Sequence, residues 1–209
     1  MSLSADPDPN QDEINILVRI SACVACRDES KLQLEIHTAL QQKLSVTLIR
    51  ETILQTYLFT GYAATINAFI VLNETVESAE GFIREEQRTL ELWKERGDEL
   101  CRKIYGSQYD KLVQNMNRLH PDLAEWMVWE GYGKVLCRPF LSPLVRELLI
   151  IAMTAVLQVE RQFYSHVRGA LHVGANAEQI TSVFKQVDSF LSPDATARFQ
   201  SILNTILSE

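Results

Sequence analysis

Between residues 10 and 120 this chain has no proline and only four glycines. Proline costs about 3 kcal/mol inside a helix, because it lacks the N–H and its ring meets the preceding turn. A long stretch without it leaves extended helices open. The strict apolar–polar alternation of half-buried strands is missing. The fold class read from this pattern is all-α.

Stop and start signals divide the chain further. The acidic tail, residues 1–12, reads as disordered or arm-like, and 13–209 as a single all-α domain. Helices are expected over 13–26 and 29–42, then from Ser45 or Thr47 to about Asn73 with an interruption near Gly61. Residues 79–105 carry Phe82, Ile83, Leu90, Trp93, Leu100 and Ile104 at helical spacing with charged residues between them, an amphipathic helix that Gly106 ends. Ser107 and Asp110 open the next helix. Pro121 begins another, expected to stop at Gly131 and Gly133. Ser142-Pro143 places an N-cap before a proline whose missing N–H is harmless at N1, and the helix behind it is apolar almost all round. Asn176 with Gln179 reads as a capping box, and Ser192-Pro193-Asp194 starts the last helix.

A shift of 131 residues brings Ile20 onto Ile151, Glu29 onto Glu160, Ala39-Leu40 onto Ala170-Leu171 and the cap Ser45 onto Asn176. The order of helices and caps agrees in both places. The expectation is two pseudo-repeats, about 14–73 and 145–205, joined by helices within 79–140.

Charge and cysteine usage narrow the function. Lys and Arg number 20 against 27 Asp and Glu, so no nucleic-acid footprint is expected. The longest apolar run, Leu148–Leu157, is about half of what a bilayer crossing needs, so no membrane partner is expected either. The polar, acidic N-terminus is neither a secretory signal nor a transit peptide. Four cysteines in a chain of this length are no disulfide framework, and the expected setting is reducing and cytoplasmic.

Residues 132–180 carry a more specific signal. Gly133, Arg138-Pro139-Phe140-Leu141, Arg146-Glu147-Leu148, His166, Gly169-Ala170-Leu171, Gly174 and Glu178-Gln179-Ile180 together resemble the carboxymuconolactone decarboxylase family, which is related to the alkyl hydroperoxidase D group. Glu51–Phe69 is similar to a further stretch of that family, although Ala63 and Ala64 follow the Gly-aromatic pair without a proline. The resemblance implies duplicated helical hairpin units and a homo-oligomer, a trimer or a hexamer. It also implies decarboxylation or a similar reaction without metal or organic cofactor. The hydroperoxidase branch uses Glu, Cys-x-x-Cys and His. Here Glu147 and His166 occupy the acid and imidazole positions, but Val159 and Gln162 stand where the two thiols would be, so a disulfide cycle at that site fails.

The candidate catalytic pair is therefore Glu147 and His166, with a small anionic organic acid or lactone as substrate. An imidazole exchanges protons near neutrality, and a carboxylate can orient it. Arg138 and Arg168 are the candidate carboxylate binders, and Tyr132 and Tyr164 the candidate hydrogen-bond donors. The blander reading of Glu147 is an ion pair with Arg146 or Arg168. His172 reads as surface. Cys23 and Cys26 form a bare Cys-x-x-Cys with no second pair for zinc, and read first as buried apolar filler. Two other functions stand beside the carboxy-lyase reading. One is a thiol oxidoreductase of the alkyl hydroperoxidase D type using Cys23 and Cys26; the other is a non-catalytic ligand-binding or assembly protein.

Overall fold

The computed structural model describes residues 8–76 and 88–208, and among them every regular element is helical. Local chemistry sets most helix starts. Helix α1 (Gln11–Cys26) begins at a capping box in which Asn10 accepts from the Asp12 and Glu13 N–H groups and Glu13 accepts from the Asn10 N–H. The helix thus starts two residues before the expected boundary. Asp8 accepts from the Ser142 N–H at 3.3 Å and Pro9 is buried, so this part of the acidic arm is docked.

Helices α2 (Glu29–Gln41) and α3 (Val46–Thr75) follow, started by Asp28 and Ser45. At Gly61 the backbone of α3 leaves helical geometry (φ 80°, ψ 169°), a conformation that a residue without Cβ adopts readily. Helix α4 (Leu90–Tyr105) is capped by Thr89, so Arg88 and Thr89 are not helical as expected; the positions 79–87, with Phe82 and Ile83, lie outside the described residues. After α4 come α5 (Tyr109–Leu119) and α6 (Pro121–Trp126), and α6 runs directly into a π-helical segment, Met127–Leu136.

That segment corrects the expected stop at Gly131 and Gly133. Gly133 is not a breaker: a Cβ there would collide with the Trp93 carbonyl, and one at Gly97 would collide with the Val128 carbonyl. The two glycines let α4 and the π-helical segment approach backbone to backbone. Tertiary contact overrides the local tendency of glycine to end a helix.

Helix α7 (Pro143–Val156) has its N-cap at Ser142, as the Ser-Pro pair predicts. It is buried around its circumference because it separates two cores. Leu148, Leu149 and Ile151 face a large cluster with Leu17, Ile20, Ile49, Phe163 and Phe199; Ile150 and Met153 face a smaller one with Leu100, Ile104, Tyr132 and Leu136. Helices α8 (Glu160–His172), α9 (Ala177–Val187) and α10 (Pro193–Leu207) complete the chain, α9 opening on the Asn176–Gln179 capping box.

Boundaries in the two halves coincide under the 131-residue shift. Helix α2 falls on α8 at both ends, and the left-handed Arg27 and Lys43 fall on Gln158 and Gly174, which also have positive φ. The break at Gly61 falls on Ser192, the extended residue between the Asp188–Phe190 turn and α10.

Candidate active site

Helices α7 and α8 form an antiparallel hairpin whose turn is closed by Gln158 in the left-handed region (φ 56°). Glu147 lies in the second turn of α7 and His166 near the middle of α8, facing each other across the hairpin. The His166 Nδ1 to Glu147 Oε2 distance is 2.8 Å, with Glu147 1% and His166 7% exposed. An ionised carboxylate only accepts, so Nδ1–H donates to it, and Nε2 is the ring nitrogen left for other work. Phe59 packs against the imidazole in a T-shaped arrangement, 5.7 Å between ring centres.

Space for the carboxylate comes from Gly169. A Cβ at that position would stand 2.8 Å from Glu147 Oε2 and equally close to Ile104 Cγ2. The Gly-Ala-Leu of the sequence pattern therefore has a local reason.

His166 lines a cavity of about 460 Å³. Its walls are mostly apolar, with Leu58, Phe59, Met116, Leu123, Trp126 and Leu136 among them, and Tyr132 supplies a polar group. Tyr132 and Tyr105 share a hydrogen bond of 2.6 Å between their hydroxyls. Burial, reinforced by the Tyr105 hydroxyl and the Glu147 charge, pushes the Tyr132 phenol well above its ordinary value; burial and Glu147 push Tyr105 the same way. Both stay neutral phenols, able to donate, across the range in which an imidazole titrates. When one hydroxyl donates to the other, the second keeps its own O–H.

The remaining sequence candidates fall in different places. Tyr164 and Arg168 line a neighbouring cavity, joined by an Arg168 Nη1 to Tyr164 hydroxyl hydrogen bond of 3.3 Å. Arg138 lines neither cavity. Its guanidinium donates to both carboxylate oxygens of Glu51 at 2.6–3.1 Å. Arg146, 1% exposed, joins the same carboxylate at 3.1 Å and donates to Gln55 Oε1 and the carbonyls of Arg138 and Pro139. So Arg146 is not the partner of Glu147. Glu51 and Gln55, from one stretch of the sequence resemblance, clasp the Arg-Pro turn and α7 of the other.

Under the 131-residue shift His166 falls on Glu35, which pairs with Arg19 at 2.8 Å across α1 and α2. His172 is exposed, and its Nδ1 contacts the Ile104 carbonyl at 2.6 Å.

Cys23 is buried, but Cys26 is exposed at the end of α1, which corrects the filler reading for that residue. Burial, with Cys26 and Glu35 nearby, pushes the Cys23 thiol up to about 12, and burial also raises Cys26. A reactive thiolate needs the opposite shift. Among the described residues no group of His, Cys, Asp and Glu is arranged to hold a metal ion, and no helix is long and apolar enough to cross a membrane.

Sequence reasoning missed Tyr105, Phe59 and the cavity wall from α5 and α6. The helix that carries Leu112 and Met116 was expected from the sequence, but its facing partner, some fifty residues further along the chain in α8, was not.

Residues 121–200 match the model of the carboxymuconolactone decarboxylase family, a span that includes both Glu147 and His166. A curated relative, Peroxisomal protein 2 of Schizosaccharomyces pombe, is 27% identical over 161 residues, covering 76% of this chain and 75% of its own.

Proposed function

We propose that the chain is a carboxy-lyase-like enzyme working by proton transfer on a small organic acid or lactone, without metal or organic cofactor, a reading that starts from the match of residues 121–200 to the carboxymuconolactone decarboxylase family. The observation that carries the reading is the 2.8 Å Glu147–His166 contact with His166 in the wall of a substrate-sized cavity. In a decarboxylation the carbon–carbon bond breaks, its electron pair stays on the substrate as an enolate, and carbon dioxide leaves. A Tyr132 or Tyr105 hydroxyl donates to the enolate oxygen, and Nε2–H of His166 returns a proton to carbon. Glu147 holds the imidazole in register and stabilises its charged form, a positioning role.

The test is carbon dioxide release from a panel of β-keto and lactone carboxylates. His166→Gln should lower kcat by about 10²- to 10⁴-fold with helicity unchanged, the range expected for loss of a general acid. Turnover unchanged in that variant removes the site.

Three further readings are part of the proposal. The matching boundaries and left-handed positions of the two halves support an internal duplication. Tyr62, Ile66 and Ile70, exposed at four-residue intervals on α3, support a homo-oligomer, checked by light scattering. Four free cysteines support a reducing compartment; the relative's name makes the peroxisome an alternative to the cytosol, and a fluorescent fusion separates them.

A further inference from the structure

Two cavities meet beside the Glu147–His166 pair, and their walls differ in kind. The one lined by His166 is mostly apolar, with Glu130, Arg161 and Gln162 the charged and amide exceptions in its lining, and it leaves Leu123 and Trp126 46% and 51% exposed to water. The second, about 430 Å³, lies between α5 and α8 and is lined by Lys111, Arg168 and His172 together with Gln108, Asn115 and Tyr164. No carboxylate lines it, and Glu147, beneath the Gly169 floor, is engaged by His166. Tyr105, Leu112 and Ser165 line both, so the two spaces adjoin over that ridge.

A single ligand that satisfies both spaces has a hydrocarbon body and one anionic end. We propose that the site takes amphipathic anions: the carboxylate or phosphate sits between Lys111 and Arg168, and an aliphatic or aromatic body crosses the Leu112–Ser165 ridge to lie beside His166. The anchoring charge is then held away from the imidazole, and a separate reacting carboxyl or lactone group carried on the body is delivered to it. Arg168 is pre-set for this by Tyr164, whose hydroxyl it contacts and whose ring it lies over. The apolar walls contribute in proportion to chain length, about 0.8 kcal/mol per buried methylene. This inference rests on the proposed reaction only for the identity of the reacting group; the binding site stands on its own geometry.

The experiment is calorimetric titration of the full chain with octanoate, octyl phosphate, octanol and acetate. At least one of the two octyl anions should bind about tenfold or more tighter than octanol, and octanoate at least about tenfold tighter than acetate. Which octyl anion binds identifies the charged group as carboxylate or phosphate. In the Lys111→Gln/Arg168→Gln variant the preference over octanol should vanish while octanol affinity holds. Anions that bind no better than octanol, a preference untouched in that variant, or acetate equal to octanoate each overturn the proposal. His166→Gln should retain the binding preference. Loss of turnover with the preference intact supports both readings. A preference in a wild-type protein that turns nothing over sinks the reaction and keeps the ligand class, and turnover without the preference does the reverse.

Discussion

Replacing Glu51 by Gln removes one negative charge from between two guanidinium groups, and the geometry sets the cost. Arg146 is 1% exposed, so its charge has no access to water, and burial already pulls its pKa down while Glu51 holds it up. The Gln55 side chain and the carbonyls of Arg138 and Pro139 continue to accept from Arg146, which softens the loss. Breaking a buried ion pair by removing one partner costs about 3–5 kcal/mol, and the retained acceptors place this case near the lower end, about 3 kcal/mol. For a chain of this size about 2–4 °C of Tm accompanies each kcal/mol, so Glu51→Gln should melt about 6–12 °C lower by circular dichroism. The partner variant Glu51→Leu/Arg146→Met removes the stranded charge and should recover more than half of that drop. A Tm within about 2 °C of wild type for Glu51→Gln, or a double variant no better than the single, refutes the argument that this carboxylate neutralises a buried arginine.

Gly169→Ala places a methyl group 2.8 Å from Glu147 Oε2 and Ile104 Cγ2; stability should fall by about 1–3 kcal/mol, and kcat should fall more steeply than the loss of folded protein explains, measured as activity per folded fraction. The Cys23 thiol, raised from 9.0 to about 12, stays protonated in the folded chain above the pH where the unfolded chain loses its proton. Its contribution is therefore complete below pH 9 and declines through pH 12 by about 1.4 kcal/mol per unit. In urea titrations over pH 8–10.5, Cys23→Ala should show a shallower alkaline loss than wild type; parallel slopes would contradict the shift. For the same reason a thiol reagent at pH 8 should modify Cys26 first and reach Cys23 only on unfolding.

Where a structural choice depended on a few neighbouring residues, the chain announced it. Ser45, Ser142-Pro143, Asn176 with Gln179 and Ser192-Pro193 all start helices as expected, because a cap is satisfied within three residues. Choices made by distant residues stayed hidden. Gly133 looks like a terminator until Trp93 is brought against it, and nothing near Arg138 in the sequence announces its pairing with Glu51, 87 positions away. Cys26, three residues from a buried cysteine, shares its helix face by spacing and is exposed only because α1 ends there. The juxtaposition of Glu147 with His166 came from a family pattern; spacing alone contains nothing that measures 2.8 Å across a hairpin.

The π-helical winding of Met127–Leu136 carries a consequence for how such a cavity can change. A coil that accommodates an additional residue per turn shifts the angular phase of everything beyond it. In an ordinary α-helix each residue advances the direction of its side chain by about 100°. Shortening this coil by one residue between them would swing Tyr132 and Leu136 off the cavity wall while Met127, upstream, kept its place. A single-residue insertion or deletion in this coil would therefore re-aim the cavity wall, where a substitution would change only one side chain of it.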